Sequence, residues 1–158
     1  PDTNAGAGGD DGNTTVQGGN GGKGGAAACT ADLTCPTFAN GAPVIHDECV
    51  AAAMPVGKGG PVVADGVYFR TKSQIYTGGS CEPTTMRQET LLVKCGAVQF
   101  INSGDPPAAA TPTYSGSDIK LTVVCPQAEV LDFSFDSTGT TFTTYEAATS
   151  KVHTYTRQ

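Results

Sequence analysis

The side chains that can do chemistry in this sequence are few, and their spacing limits what they can do. Six cysteines occur: Cys29, Cys35, Cys49, Cys81, Cys95 and Cys125. The count is even, and no two stand as C-x-x-C, the spacing of zinc ribbons and redox motifs. The pattern therefore reads as up to three structural disulfides. Disulfides persist outside the reducing cytosol, so an exported protein, extracellular or at the cell surface, is expected. His46, Asp47, Glu48 and Cys49 in "VIHDECV" form the one cluster of metal-ligating types. Neighbours on an extended chain point to opposite sides and do not readily share an ion. We read the cluster as polar residues flanking a disulfide loop, and expect no metal and no cofactor. His153, in "KVHTYTR", reads as a cross-strand partner rather than a base. With no G-x-S-x-G or comparable motif, no catalytic residue is assigned and an enzyme ranks last among the roles.

The elements that position these groups follow from composition and periodicity. The chain has 158 residues, 38% hydrophobic and 15% charged, with a net charge of −6. Its nine basic residues are scattered rather than clustered, which argues against a nucleic-acid partner. Residues 1–27 are a low-complexity tail; in "GAGGDDGNTTVQGGNGGKGG" ten of twenty positions are glycine. Such a segment has too few apolar groups to offset the entropy of ordering. A tail of this kind after a processing site suits a bacterial lipoprotein whose lipidated cysteine preceded Pro1, and that lost anchor is the only membrane contact expected. Within the tail, "GGDDGN" lacks the tandem repeats of calcium-binding glycine-aspartate motifs, and Asn13-Thr14-Thr15 fits a glycosylation sequon.

Residues 28–64 read as an irregular cysteine-bearing segment, dense in Pro and Gly, with one short helical turn over "DECVAAAM". From Asp65 to the end, period-two patterns recur. "DGVYFRTKSQIYTG", "ETLLVKCG" and "AVQFINSG" read as strands, followed by a hairpin around Ser115–Ser117. Ile119, Leu121, Val123 and Cys125 share one face of the next strand. Leu131, Phe133 and Phe135 alternate with Asp132, Ser134 and Asp136, the pattern of a half-buried strand. "TTFTTYEA" and "KVHTYTR" complete eight strands with tight connections. The fold class is all-β: an antiparallel up-and-down meander over residues 65–158, closing into a small barrel that removes its own edges.

Four stretches resemble lipocalin-like domains: "DGVYFRTKS" their first strand, "YSGSDIKLTV" with "FSFDSTGTTFTTY" their hairpins, and "VHTYTRQ" their closing strand. The resemblance implies that Gly66 and Tyr68 face the closed end, with Arg157 across Tyr68 in a cation–π closure. It also points Arg70 inward, where it would hold a ligand carboxylate beside Tyr68. The competing register puts Val67 and Phe69 inside and Arg70 in solvent. We favour that register, because burying a charge without a partner is costly. The same meander places Cys81 and Cys125 at one rim and Cys95 at the other. It implies a Cys81–Cys125 bridge, with Cys95 pairing to Cys29, Cys35 or Cys49.

Two roles stand nearly level. One is a tethered binding module whose barrel encloses a small apolar ligand. The other is a structural subunit of an extracellular filament or coat, in which copies of the same chain order the Gly-rich tail.

Overall fold

The structure, a computed structural model, describes residues 29–158. The tail, its sequon at Asn13 and the "GGDDGN" stretch lie outside the described residues. Ten strands follow: β1 (Ile45–Val50), β2 (Gly66–Tyr76), β3 (Met86–Arg87), β4 (Glu89–Lys94), β5 (Ala97–Asn102), β6 (Ala108–Ser115), β7 (Asp118–Cys125), β8 (Glu129–Ser137), β9 (Thr141–Glu146) and β10 (Lys151–Arg157). The protein is all-β, with no helix among the described residues.

Strands β2 and β4 to β10 pair antiparallel in chain order, and β10 returns to pair with β2. This closes an eight-stranded barrel, as the meander pattern predicts. Strands β1 and β3 are additions at one end. The first half of β2 pairs with β4, and its second half pairs in parallel with β1, which pairs in turn with β3. The helical turn expected over "DECVAAAM" is therefore replaced by a strand and coil, because β1 supplies the partner that the second half of β2 lacks.

Tight turns set the register. Cys95 and Gly96 both have left-handed backbone (φ 54° and 75°), the conformation a two-residue hairpin between β4 and β5 demands. Strict alternation then carries Leu91 and Val93, Ile119 and Val123, and Phe135 into the interior. A ladder of rings crosses the barrel: Tyr114 packs edge-on against Phe135, Phe135 tilts against Phe142, and Phe142 stacks on Tyr155 at 5.8 Å.

One end of the barrel is plugged. The chain before β2 crosses it, with Gly59 N–H donating to Phe135 O (2.7 Å) and Lys58 N–H to the Asp136 carboxylate (2.5 Å). Val63 of this crossing is buried with Tyr68 and Phe135, and the Tyr68 hydroxyl donates to Ala64 O at 2.8 Å. A Cβ on Gly57 would collide with the Phe135 backbone, so only glycine permits so close an approach.

A second strap, residues 29–42, runs over the outer faces of β4 and β5. Gln99 donates to the Asp32 and Thr34 carbonyls, and the Gly41 and Ala42 amides donate to Thr90 Oγ1. On β6, Ala108 and Ala110 are buried in the interior with Val123, and Ala109 is buried on the outer face beside the strap-bonded Cys125.

All six cysteines pair, as Cys29–Cys95, Cys35–Cys125 and Cys49–Cys81. Cys95 does bond to the N-terminal segment, but the Cys81–Cys125 bridge is overturned. Cys49 rides on β1, level with Ile75 of β2, and reaches the loop after β2 that carries Cys81. Cys125 is taken instead by the strap through Cys35. Three bridges in a chain this small suit an oxidising compartment.

Candidate functional site

The unplugged end of the barrel opens onto an interior cavity of about 350 Å3. This lies near the lower end of the roughly 300–1,000 Å3 typical of ligand sites. One wall is apolar, made by Phe100 of β5, Leu121 of β7, and Leu131 and Phe133 of β8. Phe142 and Tyr155, from the ring ladder, also line it. The opposite wall is polar and is built by β2, β4 and β10.

At its centre Arg70 forms an ion pair with Glu89, each side chain 7% exposed. The Arg70 Nη2 also donates to the Tyr155 hydroxyl (3.3 Å), which in turn donates to Glu89 Oε2 (3.1 Å). The guanidinium lies over the Tyr155 ring, 5.7 Å from its centroid. Each pair of the three is thus in contact, and the charge is satisfied inside the fold. The favoured register with Arg70 in solvent is therefore wrong. Tyr68 and Arg70 face inward, while Val67 is 38% exposed and Phe69 packs under the outer strap at Gly41. Glu89 on β4 supplies the partner that makes the buried charge tolerable.

A bulge extends this wall. Tyr155 is level with Arg70 and Thr154 with Lys72, so Thr71 is an extra residue on β2. Arg70 and Ser73, three apart, are consequently both buried. Ser73 heads a row across three strands, with Asp47 of β1 on one side and His153 of β10 on the other. Ser73 Oγ donates to Asp47 (2.6 Å), and Arg87 donates to both Asp47 carboxylate oxygens through Nε and to Oδ2 through Nη2. Because the Ser73 proton goes to Asp47, His153 Nδ1, 3.2 Å from Ser73 Oγ, carries the proton of that contact.

Burial, with the positive charges of Arg70 and Lys151, pushes His153 down from 6.5 to about 3, so it is neutral near pH 7. Burial works to raise Asp47, but hydrogen bonds from Arg87 and Ser73 and the Arg87 charge outweigh it and hold the carboxyl below 3.8. Ser, His and Asp thus meet, with the serine in the middle and only 1% exposed. This arrangement orients His153 and does not activate Ser73. His153 is a cross-strand partner of Ser73 and Thr144, as its position implied.

The remaining predicted residues fall elsewhere. His46 and Glu48 are exposed on β1, while Asp47 turns inward, so the cluster divides by alternation. Asp47 is more than a loop flank; it is itself buried and pairs with the partly exposed Arg87. Arg157 stands opposite Tyr68, yet its side chain is exposed, runs past Gly66 and donates to Asp65 O at 2.6 Å. A Cβ on Gly66 would sit 2.6 Å from Arg157 Nε. Gly66 and Arg157 meet at the barrel seam, and the cation–π pair is Arg70 with Tyr155 instead of Arg157 with Tyr68.

Fold and site together define a closed eight-stranded β-barrel, held by three disulfides, with one plugged end and an amphipathic cavity at the other. No family model, curated protein or solved structure matches the chain.

Proposed function

We propose that this is an exported, non-enzymatic binding protein that takes one small, largely apolar molecule into the open end of its barrel. The cavity carries this reading: apolar side chains line one wall and a fixed polar cluster the other, as in sites that bury a ligand body and orient its head. It is also the role that the lipocalin-like resemblance implies. The three bridges support export. The filament reading depends on the Gly-rich tail, outside the described residues, and no observation favours it.

The test uses N-phenyl-1-naphthylamine, a neutral dye that brightens on leaving water. The protein should bind it with saturable enhancement. Leu121→Trp, which fills the cavity, should abolish the signal, while Val124→Trp, on the outer face of the same strand, should preserve it. Loss with Val124→Trp and retention with Leu121→Trp would place the dye outside the barrel and sink the proposal.

A further inference from the structure

We infer that the cavity selects a neutral, hydrogen-bonding amphiphile, an alcohol or amide of medium chain length, and discriminates against the corresponding carboxylate. The inference rests on the binding reading above and names its ligand class.

An arginine inside a barrel invites a carboxylate ligand, which is what the sequence resemblance implies for Arg70. The geometry points the other way. Arg70 is already neutralised by Glu89 and braced by Tyr155. Arg87, the second cation on the lining, is held by Asp47 in a multiply bonded pair. Lys151 is the third; it forms no ion pair among the described residues, but Glu146 stands opposite it on β9 and also lines the cavity. Asp105 adds another carboxylate at the mouth. The lining thus holds three cations and three carboxylates, with Asp47 behind Arg87 as a fourth, and His153 contributes no positive charge near pH 7. An entering carboxylate would lose its hydration and meet a wall with no net positive charge. It could reach the guanidinium only by displacing Glu89, which would strand a buried carboxylate in turn.

What the wall does hold in reserve is hydrogen bonding. Among the described residues, two buried side-chain polar atoms have no partner: Arg70 Nε and Asn102 Oδ1. Both belong to residues that line this cavity but lie just beneath its surface, so a ligand reaches them by a turn of the side chain. Arg70 makes its two contacts through Nη2 alone, so the rest of its fork is unspent. Asn102 donates through Nδ2 to Asp105 (2.8 Å), and a carboxylate only accepts, so the amide orientation is set and Oδ1 is left as an acceptor. One donor and one acceptor suit a head that both accepts and donates, such as a hydroxyl or a primary amide. An ester or ketone satisfies only the donor. The body would lie against Leu121, Leu131 and the rings of Phe100 and Phe133. At roughly 30 Å3 per water-sized volume, the cavity has room for about a dozen heavy atoms, the size of a ten-carbon chain with its head.

Isothermal titration calorimetry of the full chain at pH 7 with decan-1-ol, decanamide and decanoate tests this directly. Both neutral compounds should bind, with decanoate at least about tenfold weaker. Decanoate binding as tightly as the alcohol overturns the selectivity and leaves the binding reading intact. Failure of all three to bind overturns the binding reading itself. Glu89→Gln, checked for native circular dichroism, keeps the shape of the wall but frees the Arg70 charge, and should raise decanoate affinity at least about tenfold. Unchanged affinity in that folded variant removes Glu89 as the discriminating group. The wild-type comparison stands whether or not the variant folds.

Discussion

Glu89→Leu removes one partner of the ion pair inside the barrel and leaves the Arg70 charge in place. Both side chains are 7% exposed, so the stranded guanidinium has little solvent to turn to. At an effective dielectric of about 20, unit charges about 4 Å apart interact by about 4 kcal/mol. Breaking one side of a buried pair costs about 3–5 kcal/mol in comparable cases. Arg70 borders the cavity, where entering water recovers part of the loss, so the lower half of that range applies, about 3–4 kcal/mol. At roughly 2–4 °C per kcal/mol for a domain of this size, the melting temperature should fall by about 6–16 °C. Urea and thermal denaturation under non-reducing conditions, followed by circular dichroism, read the change. The double variant Arg70→Met with Glu89→Leu removes both charges and should recover most of the loss, since apolar replacements of buried pairs are often neutral or stabilising. A single-variant cost below about 1 kcal/mol, typical of an exposed pair, would refute the burial argument. So would a double variant no better than the single.

Acid should act through two groups in separate windows. His153 is neutral in the fold down to about pH 3, whereas an unfolded histidine takes a proton near 6.5; stability should therefore fall as pH drops through that interval, by up to about 1.4 kcal/mol per pH unit, and His153→Gln should flatten the slope. Asp47, with its folded value depressed, contributes stability that is fully present above 3.8 and lost as pH falls through the folded value; the deficit of Asp47→Asn in thermal melts should be largest near neutrality and narrow in strong acid. Non-reducing peptide mapping should recover Cys29–Cys95, Cys35–Cys125 and Cys49–Cys81, and any Cys81–Cys125 peptide would contradict the two-strap arrangement. Gly57→Ala should destabilise the fold by about 1–3 kcal/mol in urea melts, because the new methyl meets the Phe135 backbone; a neutral result would mean the crossing is not held against β8.

Much of the barrel is legible in the residues themselves. Ile119 to Val123 and Leu131 to Phe135 alternate so regularly that strand, face and order follow from local pattern and short turns, whereas a bulge at Val124 takes Cys125 off that face to meet Cys35 of the outer strap. The polar wall is legible only in part, because its logic is long-range. Arg70 looks unaffordable inside a barrel until Glu89, on the neighbouring strand β4, is seen to alternate inward with Leu91 and Val93. A charged residue of opposite sign at an inward position of another strand was the available signal. Ser73 is hidden for a different reason: the bulge at Thr71 shifts the period, so counting in twos from Tyr68 puts it on the outer face. Asp47 is hidden because β1 has no hairpin partner and is a strand only by lying alongside the second half of β2. The bridges at the open end share that blindness, since placing Cys49 beside Cys81 requires knowing where β1 runs.

Methyl-resolved NMR during titration with decan-1-ol reads directly whether a ligand enters the barrel interior. Saturable shifts are expected for the inward methyls of Leu91, Leu121 and Leu131, while the outward methyls of Val124 and Val130 stay in place. Shifts confined to Val124 and Val130, or none anywhere, would contradict binding in the interior.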